Sequence, residues 1–157
     1  TLGEGGQLVV DDNGTMDVNG TVNLDGGFIR GSSLADGSNA STVNIAGTVN
    51  VASGEIASRL TEVNEGGFIN VNGSLDLLAD KRAEMSNKDG KLNVNAGGKL
   101  VNNGAINTNG IVVTINGAEK AGAEETQKSG GMYVADNSIF NGDLTLASPY
   151  EDLTAAA

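Results

Sequence analysis

The 157-residue chain has no cysteine, no histidine and no tryptophan, one proline, and only 3% aromatic residues. Without Cys there are no disulfide staples. The compartment stays open, since many exported chains also lack them. Without Cys and His, neither a Ser-His-Asp nor a Cys-His nucleophile can be assembled, and the usual zinc ligands are missing. With so few rings, a core built around aromatics is excluded. Basic residues are scarce as well: 9 Lys and Arg against 20 Asp and Glu, a net charge of −11. Such a surface repels phosphate backbones and anionic lipid, so nucleic acid is not an expected partner. No apolar run approaches the roughly 18 residues of a membrane-crossing helix, so no transmembrane segment is expected. No initiating Met or signal peptide opens the sequence, and Thr1 reads as a processed end or the edge of a longer chain.

What the chain does have is glycine, 24 residues, about twice ordinary usage. Its apolar residues, 38% of the total, are regularly placed. An apolar-Asn/Asp-apolar triplet recurs at Met16-Asp17-Val18, Val22-Asn23-Leu24, Val43-Asn44-Ile45, Val49-Asn50-Val51, Ile69-Asn70-Val71, Leu75-Asp76-Leu77 and Leu92-Asn93-Val94. The first six fall into pairs offset by six residues, starting at 16, 43 and 69, which gives a long period of 27 and then 26. Blocks 15–29, 42–56 and 68–82 follow, with a looser copy at 91–106. A second marker is Gly-Gly followed by any residue and then an apolar one or Tyr, at 5–8, 26–29, 66–69, 97–100 and 130–133.

Within a triplet the period is two, so both apolar residues face one side and Asn or Asp the other. Between triplets a Gly supplies the bend. Asn-Gly between alternating residues is also a strong hairpin signal. Yet hairpins of three-residue strands are barely stable and leave the long period unexplained. A single-domain, all-β parallel solenoid accounts for both periods, with an antiparallel sandwich or meander as the competing reading. The expectation is about six coils of roughly 26 residues over 1–157. Right-handed winding is favoured, because left-handed hexapeptide helices use about 18 residues per coil. The inward ladder should contain Met16, Val18, Val22, Leu24, Val43, Ile45, Val49, Val51, Ile69, Val71, Leu75, Leu77, Leu92 and Val94, with Phe28, Phe68 and Phe140 the phenylalanines available to it. Three segments break the pattern and read as excursions, about 30–41, 79–89 and 118–129. Residues 147–157 can serve as a C-terminal cap.

Catalytic patterns are missing. No phosphate-cradling glycine loop follows a strand in a βαβ setting, and the acids scatter over corners instead of facing one another across a groove. No catalytic residue and no cofactor is expected. Asp11, Asp12 and Asp36 sit in Asp/Asn/Gly/Ser stretches that can touch calcium, although neither stretch is an EF-hand loop or a β-roll repeat. Four Asn-X-Ser/Thr sequons begin at Asn13, Asn19, Asn39 and Asn72; turn chemistry explains three of them without sugar.

The units Gly47-Thr48-Val49-Asn50-Val51 and Gly97-Gly98-Lys99-Leu100-Val101, the Asn-Gly corners and the missing Cys resemble the passenger regions of bacterial autotransporters and related secreted adhesins, over roughly 5–117. The resemblance implies a right-handed β-helix exported to the bacterial cell surface, working in adhesion or display rather than catalysis. Such passengers are usually several hundred residues long and carry a β-barrel translocator; none is recognisable in these 157 residues, which read as a fragment or as a small self-assembling protein of the same style. Its partners would be host or neighbouring-cell surface molecules or glycans. Two other readings stand beside it: a subunit that self-associates through its open ends into an extracellular filament or layer, and a phage fibre or decoration protein.

Overall fold

The computed structural model describes residues 1–10, 14–31, 41–78, 90–95, 97–116 and 131–147. Strands form where apolar residues alternate with Asn, Thr or Ser between glycine-bearing bends. In chain order they are β1 (Gln7–Val10), β2 (Thr15–Val18), β3 (Thr21–Gly31), β4 (Thr42–Ile45), β5 (Thr48–Ala57), β6 (Leu60–Val63), β7 (Phe68–Leu78), β8 (Gly90–Val94), β9 (Lys99–Asn102), β10 (Ala105–Asn116), β11 (Gly131–Val134) and β12 (Ile139–Ala147). All twelve belong to one sheet. Every pairing between them is parallel, so none of the Asn-Gly bends makes a hairpin among the described residues.

The long strands bend midway, and the sheet folds into three ladders. The first stacks 21–24, 48–51, 68–71, β9 and β11. The second stacks β1, 28–31, 55–57, 74–78, 105–109 and 139–141. The third stacks β2, β4, β6, β8, 111–115 and 143–147. The chain visits the three in turn and returns to the first one strand spacing higher, about 4.8 Å. The winding is solenoid-like.

The interior is the inward row of each ladder, and it is aliphatic. Val43, Ile45, Val49, Val51, Ile69, Val71, Leu75 and Val94 are fully buried, and Val18, Leu24, Leu77 and Leu92 nearly so. Met16 and Val22, on early strands, are partly buried and pack against this cluster. Phe28 and Phe68, two of the three phenylalanines available to the interior, are half-buried on the outward row, because Ile29 and Ile69 beside them take the inward positions. Phe140 alone of the three packs on the core.

The expected period of 26 to 27 holds at one step only. Stacked partners are 27 residues apart at Asp17–Asn44 and Asn23–Asn50, 20 at Asn50–Asn70, 31 at Asp76–Asn107 and 34 at Asn107–Asn141. Consequently block 68–82 does not lie over 42–56 start to start. Residues 68–71 stack on 48–51, and β6, the segment LTEV, covers β4 instead. The unevenness comes largely from the corner between the second and third ladders. Residues 32–41 separate β3 from β4, 58–59 separate β5 from β6, and 79–89 separate β7 from β8. The excursions expected at about 30–41 and 79–89 therefore leave from one corner. Their flanks differ from expectation: Arg30 and Gly31 belong to β3, and Ser41 is buried. The excursion expected at 118–129 lies outside the described residues, as does the cap expected at 147–157 apart from Ala147, which ends β12.

The Gly-Gly marker has a stereochemical cause, seen at Gly66-Gly67. The Gly67 N–H donates to the Asn64 carbonyl at 2.7 Å, closing a four-residue turn. Gly66 at its third position has φ +79, as a type II turn requires. A Cβ on Gly67 would run into the Ile45 carbonyl oxygen of the strand below. The first glycine makes the turn and the second permits the stacking.

Candidate functional site

With apolar residues turned inward, the outward rows carry the polar chemistry. These rows are bonded chains of amides. Asn44 Nδ2 donates to Asp17 Oδ1, Asn50 to Asn23, Asn70 to Asn50 and Asn95 to Asn64, each at 3.0 Å. Asn107 donates to Asp76 at 3.1 Å, and Asn141 to Asn107 and Asn116 to Asn95 at 2.8 Å. In each case the later residue donates to the earlier one. An Asp can only accept, so Asp17 and Asp76 serve as the receiving partners of their rows. Glu62 takes an Asn position in the third ladder and accepts from both Asn93 (3.3 Å) and Asn95 (2.7 Å).

The row of the first ladder changes character at β9. Asn70 stacks beneath Val101, and Val101 beneath Tyr133. Asn70 Oδ1 therefore accepts no further amide among the described residues. On the neighbouring row Phe68, Lys99 and Gly131 are in register. The Tyr133 ring folds back over Gly131, where an added Cβ would meet Cε2 at 2.9 Å. It thus takes the place above Lys99 that Gly131 leaves empty. Lys99 Nζ lies 6.0 Å from the Phe68 ring centroid and 6.0 Å from that of Tyr133. No hydrogen bond or ion pair of this ammonium is found among the described residues. Tyr133 is 54% exposed.

A second polar cluster is buried at the corner between the second and third ladders. Ser41, Ser58, Thr61 and Arg59 are all nearly inaccessible. The single O–H of Ser58 is shared between the carbonyls of Ser41 (3.3 Å) and Leu60 (3.1 Å), which fixes the two-residue corner between β5 and β6. This cluster has a structural explanation: a tight turn in the interior needs side chains to satisfy its backbone. Asn102 is similar. It occupies an inward position in line with Val71, fully buried, and donates to the Ile139 carbonyl at 2.9 Å while its Oδ1 accepts the Gly104 N–H at 3.1 Å.

Of the residues expected to matter, the core ladder converges on a single interior cluster. Asp11, Asp12 and Asp36 lie outside the described residues. Among the described residues no group of three or more acidic side chains could hold a metal ion. The Phe68, Lys99 and Tyr133 grouping escaped the sequence reading, although parity could have found part of it: with Ile69 and Val71 inward, Phe68 must face out.

No protein-family model matches the chain, and neither a curated protein nor a solved structure matches it.

Proposed function

We propose that the chain is a non-catalytic, extracellular β-solenoid module of the bacterial surface, of the adhesin or autotransporter-passenger kind. Its winding would comprise six right-handed coils, the hand that parallel crossover connections almost always take. The observation that carries the reading is the set of outward amide rows. They give a regular polar surface supported by a sealed aliphatic interior, suited to contact with surface molecules or glycans of a neighbouring cell. The test is adhesion of beads coated with the purified chain to epithelial or bacterial cells. Retention above albumin-coated beads is expected. Retention equal to albumin overturns the adhesive reading.

A second reading, end-to-end assembly, is favoured by one observation. Val134 is 64% exposed, Ile139 52% and Leu144 44%, whereas Val113, directly beneath Leu144, is fully buried. The last described strands thus present apolar groups and an open backbone edge, which a further set of parallel strands would cover. Electron microscopy of the pure chain distinguishes the two. Long fibres support assembly, and uniform particles of 15.8 kDa by light scattering exclude it.

A further inference from the structure

We propose that Lys99, Tyr133 and Asn70 form a subsite for an acidic oligosaccharide, a chain of sugar acids recognised by its carboxylate, its apolar ring face and its hydroxyls. The assignment rests on the reading of the outer surface as the working surface, and it concerns one place on it.

Three features of different chemistry meet there. The first is an ammonium with spare donors. Lys99 is exposed, and its contacts are the two rings at 6.0 Å. Although the chain carries a net charge of −11, no carboxylate pairs with this ammonium among the described residues. Rings attract a cation but leave its N–H groups free to donate, and a carboxylate is the acceptor with which they bond most strongly. The second is a flat aromatic surface. Tyr133 is laid across the strand at Gly131, where any larger residue would push it off, and more than half of the side chain stays in contact with water. A ring held this way offers apolar area at little cost in side-chain entropy. The third is an acceptor. Asn70 Oδ1 ends its amide row, and Val101, next in register on β9, has no side-chain donor for it. An O–H donor satisfies it.

Asn70 and Tyr133 are two strand spacings apart in register, roughly 10 Å. Two or three linked sugars cover that span. A peptide of acidic side chains would satisfy the ammonium but would bring neither the stacking face nor the hydroxyl.

The experiment is titration of the full 157-residue chain, followed by calorimetry and by backbone amide shifts, with three probes. They are a galacturonic acid trisaccharide, its fully methyl-esterified form, and a glutamate tripeptide. Expected is binding of the acid trisaccharide at a Kd of about 1 mM or tighter, about tenfold better than the ester or the peptide. Lys99→Gln should remove the preference for acid over ester. Tyr133→Ala should weaken binding of both sugars about tenfold. Both side chains are exposed, so circular dichroism of the variants should superimpose on that of the parent. Equal binding of the ester, equal binding of the glutamate peptide, unchanged affinity in both variants, or no binding of the trisaccharide each overturns the subsite. Bead adhesion is scored separately. Adhesion that survives the loss of trisaccharide binding leaves the adhesive reading standing, and binding without adhesion overturns that reading alone.

Discussion

Gly20 and Gly47 sit in nearly identical bends, Asn19-Gly20-Thr21 and Ala46-Gly47-Thr48, between the third and first ladders. Neither has a positive φ, so backbone conformation permits alanine at both. Their surroundings differ. A Cβ on Gly20 would meet nothing within 4 Å, whereas a Cβ on Gly47 would collide with the Gly20 carbonyl oxygen and come within 2.6 Å of Asn19 C. That carbonyl accepts the Thr48 N–H at 2.9 Å, and Gly47 itself donates to Val18 O at 2.7 Å and accepts from Phe68 N at 2.9 Å. The obstacle is backbone, which cannot rotate away, so the bends must separate and at least one of these bonds must lengthen. Overpacking costs about 1–3 kcal/mol and a compromised hydrogen bond about 1 kcal/mol, so Gly47→Ala should destabilise by about 2–4 kcal/mol. For a chain of this size that lowers Tm by about 5–15 °C. Gly20→Ala should be neutral, or stabilising by up to about 1 kcal/mol, because alanine restricts only the unfolded chain. Urea titration followed by circular dichroism, with the slopes compared to confirm one transition, measures both. Equal midpoints for the two variants would refute the stacking of these bends.

Ile69→Ala should destabilise by about 2–5 kcal/mol in the same assay, since Ile69 is fully buried between Val49 and Leu100; Val9→Ala, at an exposed site, should stay within about 0.5 kcal/mol. The direction of the amide rows is testable at Asp17 and Asn44. Asp17→Asn keeps the accepting oxygen and should change stability by less than about 0.5 kcal/mol, whereas Asn44→Asp sets one carboxylate against another and should cost about 1 kcal/mol, less at high salt.

The parity of each short strand was legible in the sequence. Val43, Ile45, Val49 and Val51 point inward and Asn44 and Asn50 outward, because strict alternation leaves one solution when one face is sealed. The stacking of 15–24 on 42–51 was legible too, since both copies keep the triplet. The next step was not. In β6 the inward row holds Thr61, a polar residue buried at 2% exposure, and the outward row holds Glu62, so the triplet signature vanishes where a strand exists. The eye then aligns 68–82 with the wrong partner. The outer cluster was hidden for a different reason. Phe68 and Lys99 are 31 residues apart, as the stacked pair Asp76–Asn107 is, and that distance depends on how many residues leave the corner after β7. No local rule supplies that number.

That corner sets how the molecule tolerates change. Between β5 and β6 the chain crosses it in two residues, and between β7 and β8 it crosses with 79–89, while the ladders on either side keep their pairing. Length is there a nearly free variable, because doubling a loop costs only about 0.6 kcal/mol of closure entropy. The winding therefore separates two kinds of inheritance. Ladder positions tolerate substitution only within narrow limits of size and parity, whereas the connections across one vertical seam differ in length, two residues at 58–59 and eleven at 79–89, while the strands on either side stay paired. A peptide inserted between Ser58 and Arg59, with both residues kept, would test the seam, since it should lengthen the chain without altering the register of any strand above it.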